Sequence, residues 1–349
     1  MLSIQSLLKK MKINTILIFL VFVLSFSSCD NDQQTKTQEE NKQEIKEGGL
    51  STFDSLNLQI QNNPTNALLY NDRANFFLVA GKYNQALSDV NKALQIDTLR
   101  PDIWVTLADV YFAKERFVDS REVLLKAVNM DPKNTAALLK LARLYLIYRD
   151  YKTASDYINM ALAVDPMLED AYFMRAVSFA ENGDTVKSIY NYQKAVEINP
   201  NFYDAWIELG ALAMAQDNSL AEQYYLNALE LDTNNTHALY VLGYYYQQLG
   251  DFDKSEKYYL SLLDKEDNEN ALFNLGYINL VYLNDYPQAI IYFQKALIEN
   301  PDYHEALFNL AYALELSGDV DDARLKYQEL LKRVPNHEGA VQQLNHLDQ

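Results

Sequence analysis

The stretch Pro101–Asn134, PDIWVTLADVYFAKERFVDSREVLLKAVNMDPKN, decides the architecture. Its apolar residues recur at helical spacing in two runs of about a dozen residues each, which predicts two amphipathic helices. Lys114, Glu115 and Arg116 form the polar turn between them, and Asp131-Pro132 ends the second. The same 34-residue pattern returns along the chain, with units at 67–100, 101–134, 135–168, 169–202, 203–235, 236–268, 269–303 and 304–337. A period of this length is the mark of a helical solenoid, in which each unit buries its apolar face only by stacking on its neighbours.

Small residues carry the pattern most strictly, because two helices approach closely only where side chains do not hold them apart. The eighth position of the units reads Ala74, Ala108, Ala142, Ala176, Gly210, Gly243, Gly276 and Ala311. The twentieth reads Ala86, Ser120, Ala154, Ser188, Ala221, Ser255, Ala289 and Ala323. The twenty-seventh is alanine in six units, with Leu262 and Leu330 as the departures. Large residues such as Trp104, Tyr111, Phe117 and Leu124 fill the space between, and Pro132, Pro166, Pro200, Pro301 and Pro335 separate the units. On these residues, 67–337 resembles the tetratricopeptide repeat (TPR) family. The resemblance implies an all-α, right-handed α-solenoid of about eight helix-turn-helix units, a TPR superhelix over 50–349. Residues 50–66 are expected to cover the first unit with one short helix bearing Phe53, Leu56 and Ile60. Residues 338–349 are expected to cap the last, with Val341 and Leu344 turned inward.

Two units break register. The fifth is one residue short near Asp217-Asn218-Ser219, with Ala213 where a large aromatic usually packs. The seventh has one residue extra near Asn284-Asp285-Tyr286-Pro287, with Asn279 at that same buried position. Loop drift and a local change in pitch both account for such irregularities. Arg73 and Arg175 replace leucine at the seventh position and are expected to be paired or to snorkel.

The chain has 349 residues and a net charge of −18, which becomes −21 without residues 1–28 and their Lys9, Lys10 and Lys12. That balance argues against a nucleic-acid partner, whose phosphates need Lys and Arg. It serves solubility, or the attraction of a basic partner. The single cysteine, Cys29, excludes an intrachain disulfide.

Residues 1–28 read as a signal peptide. Lys9, Lys10 and Lys12 precede an apolar run from Ile16 to Leu24, too short for the roughly 20 residues of a spanning helix. Met11 serves equally well as a start. Ser27-Ser28-Cys29 resembles the cleavage box of bacterial lipoproteins, with Phe26 in place of the usual leucine, and the resemblance implies acylation of Cys29. Several acyl chains at about 0.8 kcal/mol per buried methylene make a stable anchor. Residues 29–49 follow as the acylated cysteine and a polar, disordered tether, with an rms reach of roughly 25 Å. The expected location is a bacterial cell envelope, lipid-anchored, the outer membrane first, with either face open.

Catalytic signals are scarce. His237, His304, His337 and His346 are scattered, and His304-Glu305-Ala306-Leu307-Phe308 lacks the second histidine of a zinc-protease helix. There is no phosphate loop and no G-x-S-x-G elbow. No enzyme activity, cofactor or metal site is expected.

In the family, the second, fifth, sixth, ninth, twelfth and thirteenth positions of each first helix face a ligand groove. Here they carry Tyr240, Tyr244, Phe273, Asn274, Tyr277, Phe308, Asn309 and Tyr312 in the last three units. Rings with amides between them suit a peptide, since rings give contact area and amides bond its backbone; ordinary packing is the other reading. Earlier units place Asp102, Asp109, Asp170, Asp204 and Glu208 on this face, with Lys140 and Arg143 interposed. These acids fit a basic segment or the helix macrodipole. The Lys/Arg clamp of chaperone-binding members is not matched, since Asn71 and Asn75 occupy part of it. The function implied is a membrane-anchored scaffold or adaptor whose concave groove binds partner proteins or peptides. The alternatives are a glycan- or peptidoglycan-binding solenoid and a structural spacer without a groove ligand.

Overall fold

A computed structural model describes residues 52–347, so the expected signal peptide, Cys29 and the tether lie outside the described residues. Among the described residues there are eighteen α-helices, one π-helical turn and no strand. α1 (Thr52–Asn62) leads into α2 (Ala67–Val79) and α3 (Tyr83–Ile96), α4 (Pro101–Ala113) and α5 (Phe117–Met130), α6 (Thr135–Ile147) and α7 (Tyr151–Val164), then α8 (Glu169–Glu181) and α9 (Thr185–Ile198). There follow α10 (Tyr203–Ala215) and α11 (Leu220–Leu231), α12 (Thr236–Leu249) and α13 (Phe252–Leu263), α14 (Glu269–Ile278) and α15 (Tyr286–Glu299), α16 (His304–Ser317) and α17 (Val320–Arg333), and last α18 (Glu338–Leu347). The fold is an α-solenoid of helix-turn-helix units.

Two compact units divide inside α9, one ending at Ser188 and one beginning at Ile189. In the first, α2 packs on α3, α4 on α5 and α6 on α7, and each pair passes its second helix to the first helix of the next. The second repeats this from α10 to α17, with α18 laid on α17.

One device recurs at the junctions. Asp97, Asp131, Asp165, Asn199, Asp232 and Asn300 each accept, at 2.8–3.1 Å, the amide two residues on. Such a turn satisfies a junction amide that neither flanking helix bonds. Tyr70, Trp104 and Trp206, all at the fourth position, donate to the carbonyl six residues back, which pins the junction to the next helix.

The turn inside each pair needs a left-handed residue. Glycine supplies it at Gly81, Gly183, Gly250 and Gly318, while Glu115, Arg149, Asp217 and Asn284 adopt it at φ 52–58°. In the seventh unit this residue falls one place late because the extra residue is absorbed in the π-helical turn Asn279–Leu283. Asn279 there is buried and donates to the Leu275 carbonyl at 2.9 Å.

Inside each pair, the eighth position meets a residue of the second helix that stands sixteen further on in units of regular length, fifteen in the short fifth unit and seventeen in the long seventh. Gly210, Gly243 and Gly276 lie under the rings of Tyr225, Tyr259 and Phe293, and a Cβ on them would stand 2.4, 2.7 and 2.7 Å from ring carbon. Where the eighth residue is Ala74, Ala108 or Ala142, the opposite residue is the smaller Val90, Leu124 or Ile158, fully buried. In these six units volume is traded across the contact, whereas Ala176 and Ala311 stand sixteen before the fully buried Tyr192 and Tyr327. Ser120 and Ser255 donate to the carbonyls of Ala108 and Gly243 at 2.9 and 2.8 Å, so these two serines also clamp their pairs.

Arg73 is paired as expected: its guanidinium donates to both oxygens of buried Asp89 at 2.6 and 2.8 Å and to Asn57 at 2.7 Å. Phe53, Leu56 and Ile60 of α1 join the core of the first pair. In α18 the inward face differs from expectation. Ala340 is fully buried and Leu344 and Leu347 pack beside it, whereas Val341 is 40% exposed. The i, i+4, i+7 stripe that reaches α17 begins at 340.

Gly276→Ala is expected to destabilise the fold by about 1–3 kcal/mol through overpacking, although alanine is the better helix former by about 1 kcal/mol. Adding Phe293→Leu should recover part of that loss, because it recreates the alanine–aliphatic pairing of the earlier units. A double-mutant cycle from urea denaturation checks this; additive losses would refute the volume rule.

Candidate functional site

The aromatic positions read from the sequence all fall in the second compact unit, on three successive first helices. Tyr240 and Tyr244 are on α12, Phe273, Asn274 and Tyr277 on α14, and Phe308, Asn309 and Tyr312 on α16. All eight are half-buried, each ring packing one edge on the core. Phe273 stacks on Tyr303 with centroids 5.0 Å apart and lies 6.4 Å from Tyr277. Tyr277 meets Tyr282 edge-on at 6.0 Å, and Tyr282 stacks on Phe252 at 4.4 Å. The rings therefore form a chain of contacts, which fixes their orientation at low entropic cost to a ligand.

The amides behave differently from the reading that they await a peptide backbone. Asn274 Nδ2 donates to the hydroxyls of Tyr240 (3.3 Å) and Tyr259 (3.0 Å), and Tyr259 donates on to Gln247 Oε1 at 3.0 Å. Both N–H groups of Asn274 are thus committed inside the fold. Asn309 Nδ2 donates to the Glu305 carbonyl of its own helix at 2.8 Å. Phe308 packs beside His337, centroids 5.0 Å apart, and a Cβ on Gly339 would stand 2.9 Å from its ring, so the cap covers part of it. Of the eight, Tyr244, Tyr277 and Tyr312 are half-buried rings that share the ninth position of their units.

Tyr259, Tyr303, Tyr282 and Gln247 escaped sequence reasoning. A signal for Tyr259 existed in its spacing of sixteen from Gly243, a glycine that implies a large ring opposite. Tyr303 precedes α16 rather than lying on it, and its hydroxyl reaches Asn270 at 3.3 Å. Tyr282 lies in the π-helical turn, which no periodicity announces.

Burial pushes the Tyr277 hydroxyl up to about 12, with Tyr282 adding to the shift. Tyr240, Tyr244 and Tyr312 are also raised, chiefly by burial. The neutral phenol is the form these sites hold.

The acids are dispersed. Asp102, Asp170 and Asp204 occupy the first turns of α4, α8 and α10, where a carboxylate complements the macrodipole. Asp102 also accepts from Arg100 at 3.2 and 3.1 Å, and Asp109 pairs with Lys140 at 2.7 Å. Burial, then the Asp102 charge, pushes the neighbouring Asp72 carboxyl up, so negative potential persists there. Among the described residues no three His, Cys, Asp or Glu side chains come together to hold a metal, and no helix is long and apolar enough to cross a membrane.

Helix pairs repeated along the chain and closed by small residues define a helical-repeat protein. Family models described as tetratricopeptide repeat match residues 105–167, 170–201, 236–264 and 278–338. The chain belongs to the tetratricopeptide repeat family, a protein-interaction fold that is in general not enzymatic. It is 24% identical over 179 residues to anaphase-promoting complex subunit 3 of Schizosaccharomyces pombe, covering 51% of this chain and 27% of that protein. It is 26% identical over 218 residues to the human protein O-mannosyl-transferase TMTC3, covering 60% and 24%. The chain thus spans about a quarter of the length of these relatives. A solved structure of Pseudomonas aeruginosa PilF superposes with a TM-score of 0.51 at 20% identity, over 56% of this chain and 90% of that one, a likeness of fold.

A phenol raised in the folded state favours folding below pH 10 and loses that contribution as pH rises through its folded value. Between pH 10 and about 12 the unfolded chain releases the Tyr277 proton while the folded chain keeps it, so stability falls across that window. Spectrophotometric titration should show a class of the 26 tyrosines that ionises well above pH 10 in the native protein and normally in urea. Tyr277→Phe should make the stability curve less steep there; an unchanged slope would refute the assignment.

Proposed function

We propose that this chain is a lipid-anchored scaffold of a bacterial envelope, which holds a partner protein or peptide on the aromatic face of α12, α14 and α16 and turns over no substrate. The observation that carries the reading is the row Tyr244, Tyr277 and Tyr312. They stand at the same repeat position on three successive helices, half-buried against the core, and Phe273 and Tyr282 brace Tyr277. Preordered rings are favoured interface anchors, because they bring large contact area with little conformational freedom to lose. The Asn274 network supports the face from behind, so the amides act as positioning groups and the rings as the contact. The Lys-rich start, the apolar run to Leu24 and Ser27-Ser28-Cys29 support anchoring through an acylated cysteine.

Two measurements test the two halves. Replacing Tyr244, Tyr277 and Tyr312 together by alanine is expected to weaken partner capture in cell crosslinking at least about tenfold, since an anchor ring contributes roughly 2 kcal/mol. Circular dichroism should remain helical; undiminished crosslinking to an identified partner would remove the groove reading. Cys29→Ala should shift the protein from the membrane to the soluble fraction and abolish labelling by an alkyne fatty acid. Retention in the membrane without labelling would point to an uncleaved leader.

A further inference from the structure

A cavity of about 500 Å³ lies in the first compact unit, between the turn joining α6 to α7 and one side of α8. Arg149, Lys152 and Arg175 line it, against the single carboxylate of Asp150, in a chain whose net charge is −18. The carboxylate is engaged as the cap of α7, accepting the Thr153 amide at 3.1 Å. Glu181, the nearest other acid on α8, accepts from the Tyr151 hydroxyl at 3.1 Å. Arg149 and Lys152 form no salt bridge with a described residue, and the Arg175 guanidinium lies 4.9 Å from the Tyr172 ring centroid. The rings of Tyr151 and Phe179 supply apolar wall beside the cations.

Arg175 and Phe179 are the seventh and eleventh residues of α8, and neither belongs to the positions that carry the aromatic face. The cavity is therefore a second surface. Arg149 stands at φ 57°, where four other units place glycine, so a long cation is held at a position the backbone would sooner give to glycine. At physiological salt the screening length is about 8 Å, so the local excess of positive charge decides what binds and the distant acids do not.

From this juxtaposition we infer that the Arg149–Lys152–Arg175 cavity is a binding site for an acidic peptide segment. Guanidinium groups pair with carboxylates in a planar, two-point geometry, and Tyr151 and Phe179 receive the methylenes of Asp or Glu side chains. The volume exceeds what a lone phosphate or carboxylate fills, which favours a segment carrying several carboxylates. The inference stands whether or not the aromatic face binds a partner.

The test uses the full chain in detergent and a fluorescein-labelled hexa-aspartate peptide, with the hexa-asparagine peptide as control, read by fluorescence anisotropy. Hexa-aspartate is expected to bind and to weaken as salt is raised, and hexa-asparagine to bind at least about tenfold more weakly. Arg149→Gly removes one cation at a backbone position glycine prefers, so weaker peptide binding with an undiminished melting temperature cannot be ascribed to unfolding. Combining Arg149→Gly with Lys152→Gln should lower affinity at least about tenfold, while Lys332→Gln, the same loss of charge on an exposed lysine of the second compact unit, leaves it unchanged. Equal binding of the two peptides, or undiminished affinity in the double variant, would overturn the site. Full displacement of the peptide by equimolar inorganic phosphate would overturn the peptide assignment in favour of a free anion.

Discussion

Everything in this structure depends on how closely two antiparallel helices approach at one point in each unit. The eighth residue of the first helix lies against a residue of the second helix fifteen to seventeen further on, and the space between them admits one large side chain. Gly210, Gly243 and Gly276 accommodate the rings of Tyr225, Tyr259 and Phe293, and alanines accommodate Val90, Leu124 and Ile158. These six pairs divide a similar volume in two ways, and Ala176 and Ala311, with Tyr192 and Tyr327 sixteen further on, take a larger share. Because the contact is local, the unit can be repeated with little regard for what lies several units away.

The aromatic division has a consequence for function. A tyrosine seated on a glycine brings its hydroxyl to the far edge of the pair, where it must find a partner. Tyr259 reaches Gln247 and Asn274, and through Asn274 it is joined to Tyr240 on the first-helix face. The packing choice in the core thereby orders the surface on which a partner is proposed to lie. In the first compact unit Val90, Leu124 and Ile158 stand opposite the alanines, and on the first-helix faces Asp102 and Asp109 pair with Arg100 and Lys140. The same scaffold thus offers surfaces of different chemistry along one chain.

Irregular units show where local rules yield. The extra residue of the seventh unit is taken up in a π-helical turn, so the left-handed position moves from 283 to Asn284 and the following helix keeps its register. Tyr282 is carried outward onto Phe252 by that turn. A one-residue insertion therefore rebuilds the rim of the aromatic face without disturbing the Gly276–Phe293 contact beneath it.

The sequence by itself determined the period, the helix pairs and the small-residue contacts, because each is set by local spacing of residue types that have one physical use. It also showed that Arg73, standing where leucine is usual, would be paired or would snorkel, since a guanidinium among apolar residues cannot stay unpaired away from water. Which partner, Asp89 and Asn57, was decided only when two helices brought residues sixteen apart in the chain into contact. Tertiary structure likewise decided that Asn274 serves tyrosine hydroxyls, that Phe308 lies partly under the cap, and that Val341 faces outward. It placed Arg149, Lys152 and Arg175 around one cavity. None of these follows from periodicity, because each depends on side chains from different helices meeting, and a repeat pattern specifies which face a residue occupies but not what stands opposite it.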